Sequence, residues 1–303
     1  MFKKYIFTLL GGDKRQVAIA KMILRHGHSV RVCGFSELGA SISGAEMYSN
    51  AEKAINGADV LLLPLPVSRD NSTLSLSHGY CDESVSLDDV IKWSERGGIK
   101  AILGGIIPEN MIKAAQDAKI YISDYYKSEK LQKKNALPSA EGALMIAMEN
   151  TDKVIANMSF VVCGYGRIGT ILADILTKLG ADVTVMARRD EVLCEIAMQG
   201  YPAVRICENN ADEMAAALRR CDVVFNTVPH VVFTRNIIGK IGKELLYIEV
   251  ASQPGGIDVC AAREAGMEVI FAPSLPGKYA PVDAGRYIFE TVFDILNERG
   301  IEI

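Results

Sequence analysis

An apolar run, Phe160-Val161-Val162-Cys163, passes directly into Gly164-Tyr165-Gly166-Arg167-Ile168-Gly169. Few short patterns constrain a backbone as tightly as Gly-x-Gly-x-x-Gly at the end of a strand. The first glycine permits a tight turn, and the second leaves the backbone bare where a pyrophosphate would lie. The third lets the following helix pack close to the strand. The helix start then offers unpaired N–H groups and the positive end of its dipole to phosphate. The context agrees: Ile168, Ile171, Leu172, Ile175, Leu176 and Leu179 follow at helical spacing, and a second strand is predicted at 182–187. A dinucleotide-binding unit therefore lies in the middle of the chain, with residues 164–169 as its phosphate turn.

Ahead of it lies a similar array. Strands are predicted at 5–10, 29–33, 59–65, 101–104 and 119–122, with the turn Gly11-Gly12-Asp13 and a helix at 15–25. From 159 onward, strands follow near 182–186, 203–205, 222–226, 245–250 and 267–271, and a helix at about 283–298 closes the chain. Strands alternating with helices give parallel sheets covered on both faces. The expected fold is α/β: two Rossmann-like doubly wound parallel-sheet domains with a cleft between them, joined by interdomain helices. The expected division is 1–135 plus about 282–303 on the substrate side, and 136–281 for the nucleotide. In the link, Pro138 is expected to start the helix that runs to 149. Asn135 or Ser139 would satisfy its orphan N–H groups, and Glu141 would sit near its positive end.

Composition narrows the function. With 303 residues, 49% hydrophobic and 23% charged, the chain can build two ordinary cores. A net charge of −4 gives no basic footprint for nucleic acid. No apolar stretch approaches the roughly 20 residues that cross a bilayer, and the run at 5–10 stops at Gly11-Gly12 with no cleavage site, so it reads as a strand rather than a leader. Cys33, Cys81, Cys163, Cys194, Cys207, Cys221 and Cys260 are scattered and form no Cys-x-x-Cys pair, which favours a reducing cytoplasm. His26, His28, His78 and His230 form no ligand-spaced cluster with them, so no metal site is expected.

Cofactor choice is read at the end of the second strand of the nucleotide unit. An acid there would bind the ribose of NAD; here the strand ends Met186-Ala187-Arg188-Arg189-Asp190. Two guanidinium groups, Arg188 and Arg189, can hold a 2′-phosphate by charge-assisted bonds. NADP is favoured, with NAD possible; the alternative leaves Arg188 and Arg189 as solvated loop charges, with Asp190 capping the next helix. Asn226-Thr227-Val228-Pro229-His230 ends another strand on the same edge, which makes Thr227, Val228 and Pro229 cofactor contacts and His230 a candidate acid/base. Glycine-rich loops follow at 250–258 and 272–281, the second carrying Lys278 as a carboxylate contact. In the first array, Gly11-Gly12-Asp13-Lys14-Arg15-Gln16 lacks the third glycine, so a second dinucleotide site is not expected. On the motif alone Asp13 reads as a helix N-cap with Arg15 at the surface, and the alternative is a small-anion site with Arg15 as its cation.

Taken together, Leu10-Gly11-Gly12-Asp13-Lys14-Arg15-Gln16, the link at 135–142 with Asn135, Pro138, Ser139, Glu141 and Gly142, the Ala-Ser-x-Pro-Gly-Gly-x-Asp at 251–258 and the Ala-Pro-x-Leu-Pro-Gly-Lys-x-Ala-Pro at 272–281 resemble the A-subunit family of dipicolinate synthase. The resemblance spans nearly the whole chain. It implies a sporulation enzyme, in the mother-cell cytoplasm, that oxidises a dihydrodipicolinate-level intermediate to pyridine-2,6-dicarboxylate with NAD(P). It also implies a partner, the flavoprotein-like B subunit of dipicolinate synthase, and a homo-oligomer is expected. On that chemistry, Arg15 and Lys278 would take the two carboxylates, assisted by Ser139 and the N–H groups of the link helix. Glu141 or Asp13 would be the base. The alternatives are an NADP-dependent hydroxy- or amino-acid dehydrogenase, and a non-catalytic protein that senses nucleotide or serves as a scaffold.

Overall fold

The computed structural model describes residues 3–35, 42–76, 84–241 and 245–301; Cys81 and His78 lie outside them. By its internal contacts the chain divides into two compact units, Met1–Asn135 with Ala280–Ile303, and Ala136–Tyr279.

In the first unit, β1 (Ile6–Leu10), α1 (Lys14–Arg25), β2 (Ser29–Cys33), β3 (Glu46–Tyr48), α2 (Ala51–Ile55), β4 (Val60–Leu62), α3 (Leu87–Gly97), β5 (Ala101–Gly104), α4 (Glu109–Asp117) and β6 (Tyr121–Asp124) alternate. The strands form a parallel sheet in the order β3-β2-β1-β4-β5-β6. The alternation of side chains along each strand sends Phe7, Leu9, Val30, Val32, Val60 and Leu62 to one face. There they meet Ile19 and Ile23 of α1 and Ile288 and Val292 of the last helix, α12 (Pro281–Glu298). Leu10, Leu61, Leu63 and Ile102 go to the other face with Ile55, Val90, Ile91 and Met111. Both faces are buried, as a parallel sheet requires, and each fully buried aliphatic side chain contributes about 1.5–3 kcal/mol.

The second unit holds β7 (Ser159–Cys163), α6 (Arg167–Lys178), β8 (Asp182–Ala187), α7 (Asp190–Met198), β9 (Ala203–Arg205), α8 (Ala211–Leu218), β10 (Val223–Asn226), α9 (Arg235–Ile238), β11 (Leu246–Glu249), α10 (Val259–Ala265), β12 (Glu268–Phe271) and α11 (Leu275–Tyr279). Its parallel sheet runs β12-β11-β10-β7-β8-β9. Phe160, Val162, Val183 and Val185 pack with Leu172 and Leu176 of α6, while Val161, Cys163, Met186 and Val224 face Met214 and Leu218 of α8.

Three local expectations are corrected. Pro138 does not open a helix: it lies inside α5 (Glu129–Glu149), which runs unbroken through it. Ala136, Ala140, Ala143 and Ala147 are almost fully buried along one side, so packing outweighs the hydrogen bond that a proline removes. The N–H groups expected to assist beside Ser139 are therefore spent inside the helix. Asp190 does not cap α7 either; Arg189 stands at the N-cap without a side-chain bond, and Asp190 is the first helical residue. The 272–281 segment is not an open loop, because α11 occupies Leu275–Tyr279 and carries Lys278.

Candidate functional site

In the second unit the chain leaves β7 outward through β8 and β9, then returns to build β10, β11 and β12 on the other side. The crevice beyond the carboxyl ends of β7 and β10 is thus a topological switch point, the place where such sheets bind ligands. The fingerprint turn lies there. Gly164 has φ +97°, and its N–H donates to the Met186 carbonyl at 2.8 Å. A Cβ on Gly164 would stand 2.4 Å from Thr227 Oγ1, and one on Gly169 would stand 1.9 Å from the Gly164 carbonyl oxygen. Protein packing alone explains both glycines. Gly166 is different: a Cβ there meets nothing within 4 Å, and its φ of −93° suits any residue.

Gly166 is also the N-cap of α6, with no side-chain capping bond and no acid in the first turn. The orphan N–H groups and positive dipole end face no compensating side chain of that turn. Arg167 is exposed and Ile168 half-buried. Tyr165 lies edge-on to Tyr201, with ring centroids 6.3 Å apart, and burial pushes its phenol pKa up. Across the crevice, the Thr227 hydroxyl donates to the Cys163 carbonyl at 2.9 Å and Val228 is half-buried, whereas Pro229 and His230 are exposed. At the tip of β8, Arg188 and Arg189 are exposed, and neither guanidinium makes a hydrogen bond or ion pair with a described residue. Burial drives the pKa of the nearby Cys163 thiol up, which leaves it a neutral packing group.

Sequence reasoning missed what holds this edge in place. Glu249, at the end of β11, is buried, and its carboxylate accepts four hydrogen bonds. They come from Asn226 Nδ2 at 2.7 Å, the Tyr247 hydroxyl at 3.0 Å, and the N–H groups of Ala251 at 3.2 Å and Gly256 at 2.7 Å. Asn226 Nδ2 also donates to the Val228 carbonyl at 2.9 Å, and its Oδ1 accepts from the Val228 N–H at 3.2 Å. The loops after β10 and β11 are thereby fastened to one buried acid. The available signal was a lone carboxylate closing the apolar strand Leu246–Glu249.

In the first unit, Asp13 caps α1 through the Arg15 N–H and forms a two-pronged ion pair with the Arg15 guanidinium, Nη2 to Oδ2 at 2.8 Å. Arg15 is 7% exposed, and Nη2 also donates to the Leu65 carbonyl at 2.8 Å. Burial opposes its charge, but the Asp13 carboxylate outweighs this and raises the pKa, so Arg15 stays a cation. Nη1 has no hydrogen bond to a described residue. The structure therefore joins Asp13 and Arg15, two candidates given separate roles, into one pair. Glu141 is exposed in the middle of α5, Ser139 is buried in the same helix, and Lys278 is exposed on α11. No helix of the described residues is long and apolar enough to cross a membrane.

Residues 6–126 match the family model of the N-terminal domain of the dipicolinate synthase A subunit, and residues 160–246 match that of the TrkA-N domain. The chain is 27% identical over 294 residues, 96% of its length, to the dipicolinate synthase A subunit of Bacillus subtilis (strain 168), covering 95% of that protein. Among solved structures it matches the dipicolinate synthase A subunit of Bacillus halodurans with a TM-score of 0.83 and 27% identity, over 98% of this chain and 99% of that one. It also matches a transhydrogenase from Sinorhizobium meliloti with a TM-score of 0.68 and 15% identity, over 98% and 94% of the two chains, a likeness of fold.

Proposed function

We propose that this chain, which resembles the dipicolinate synthase A subunit over nearly its whole length, is an NADP-dependent dehydrogenase that converts a dihydrodipicolinate-level intermediate to pyridine-2,6-dicarboxylate. The observation that carries the nucleotide part is Gly166. Its missing side chain answers no packing need of the protein, yet it stands at the uncapped start of α6 on the switch-point edge. A pyrophosphate held by the first-turn N–H groups supplies the missing reason.

When bound, the nicotinamide supplies a hydride acceptor. The chain's residues do the rest. Residues 164–169 hold the pyrophosphate, Arg188 and Arg189 hold a 2′-phosphate, and Thr227, Val228 and Pro229 form the wall beside the turn. Arg15 and Lys278 are assigned the substrate carboxylates. Asp13 fixes the Arg15 fork through the two-pronged pair and so leaves Nη1 to point its N–H groups at an anion. That use of Asp13 makes Glu141 the better base of the two; His230, exposed like Glu141, is the further candidate. Loss of one hydride and one proton makes the ring aromatic, so much of the driving force resides in the substrate. Pairing with the B subunit, a homo-oligomer and a cytoplasmic setting in a sporulating cell belong to the same reading.

The test joins binding to turnover. Purified protein, with and without the B subunit, is given freshly generated dihydrodipicolinate with NADP or NAD, and NADPH growth with dipicolinate formation is the expected result. Gly166→Ala should cost no more than about 1 kcal/mol of stability as an N-cap change, yet weaken NADPH binding at least about tenfold by crowding the pyrophosphate. Undiminished NADPH binding by that variant would sink the placement. Tight binding with no turnover in any combination would leave a nucleotide-binding protein without catalysis.

A further inference from the structure

The tip of β8 holds one charge whose partner is specific. The parallel register sets Ala187, the last residue of β8, beside Arg205, the last residue of β9. The Arg205 guanidinium forms an ion pair with Asp190, the first residue of α7. The Asn210 side chain, donating to the Arg205 carbonyl at 3.0 Å, and the Ile206 N–H, donating to the Ala187 carbonyl at 2.8 Å, hold the Arg205 backbone against the strand tip. Ala187 lies about twenty residues beyond the glycine turn, where nucleotide sheets that select NAD carry a ribose-binding acid. The carboxylate closest in sequence to that place is Asp190. The other acid of the first turn, Glu191, is one helical step further round and has no such partner among the described residues.

We propose that Arg205 is a specificity-determining residue of this nucleotide site. By holding Asp190 in an ion pair it withdraws the carboxylate that would accept a ribose 2′-hydroxyl and repel a 2′-phosphate. Arg188 and Arg189, which pair with no described residue, are then left to the phosphate. The selected ligand is an adenine dinucleotide bearing a 2′-phosphate. This inference rests on the reading of the second unit as a nicotinamide-nucleotide site.

The experiment measures the affinities of the full-length protein for NADPH and NADH by fluorescence titration, with 2′,5′-ADP and 5′-AMP as competitors. The parent should prefer NADPH. Arg205→Gln should lower the NADPH-to-NADH affinity ratio by about tenfold or more, because one screening cation is lost and one anion is released. Asp190→Asn in the Arg205→Gln background should restore most of the ratio, and Glu191→Gln should leave it unchanged. The Arg205 and Asp190 side chains are 42% and 71% exposed and Glu191 is exposed too, and the melting temperature of each variant reports on its fold. A ratio within twofold of the parent in Arg205→Gln overturns the inference, as does equal weakening of both nucleotides or a parent that prefers NADH. A parent that binds neither nucleotide removes the site reading itself.

Discussion

At the scale of single residues, the three fingerprint glycines are alike in sequence and unlike in cause. Gly164 and Gly169 are fixed by neighbouring protein atoms, and Gly166 by none. Sequence spacing finds all three but cannot tell them apart, because the distinction lies in what a Cβ would meet. Glu249 shows the opposite failure. A glutamate at a strand end reads as a solvent-facing charge, yet this one is buried and collects donors from β10, β11 and the loop that reaches Gly256. Four donors arranged around one carboxylate need an acceptor at every lone pair they address. Glu249→Gln keeps the shape but places an NH2 group against at least one N–H or O–H. That change should cost about 2–4 kcal/mol, the range for spoiling a buried, charge-assisted hydrogen bond. A urea melt measures it, and a loss below about 1 kcal/mol would show that the network is slack.

At the scale of elements, most strands were legible because a buried parallel strand is a short apolar run closed by a turn. The runs at 29–33, 101–104, 182–187 and 203–205 coincide with β2, β5, β8 and β9. β3 escaped because Glu46–Tyr48 is short and its side chains lie toward solvent. Pro138 misled for a different reason: local backbone rules placed a helix start there, but the buried alanines of α5 on both sides keep the helix continuous. Helix pairing was beyond sequence reach as well. Gly285 of α12 lies so close to α1 that a Cβ would be 2.7 Å from the Arg15 carbonyl oxygen and 2.8 Å from Ala18 Cβ. The first obstacle is backbone and cannot rotate away. Gly285→Ala should therefore shift the two helices apart and cost about 1–3 kcal/mol, as overpacking does, with the Arg15 fork moving along with α1. Equal urea midpoints for the variant and the parent would show that the helices can separate freely.

At the scale of the whole molecule, the two units repeat one scheme of construction with different acid sensitivities. In each, the strand order is the same, and an aspartate ahead of the fourth strand in sequence accepts the first N–H of the central strand. Asp59 accepts from Ile6 at 2.8 Å and Asp222 from Ser159 at 2.9 Å; Lys100 and Lys153 pair with these acids. Burial works against the Asp222 charge, but Lys153 and the Ser159 N–H prevail and lower its pKa below the usual aspartate value of 3.8. A lowered carboxylate stabilises the fold above that value and stops doing so as pH falls through the folded pKa. Its window therefore lies in strong acid. The first unit has an additional group, His28, buried between Tyr5, Phe7 and Phe293, whose Nδ1 accepts from the Tyr5 N–H at 3.4 Å. Burial, with His26 and Lys4 nearby, lowers its pKa from the ordinary 6.5. The unfolded chain then binds the extra proton first, so the contribution of neutral His28 is complete above about pH 6.5 and declines as pH falls toward the lower folded value. Protonation would also place a proton where Tyr5 donates. Hydrogen exchange followed by mass spectrometry between about pH 7 and 5 should show β1, β2 and their contacts with α12 loosening, while β7 and β10 stay protected. His28→Gln should flatten that slope. Equal loss of protection in both units over this range, or an unchanged slope in the variant, would place the acid-sensitive step elsewhere.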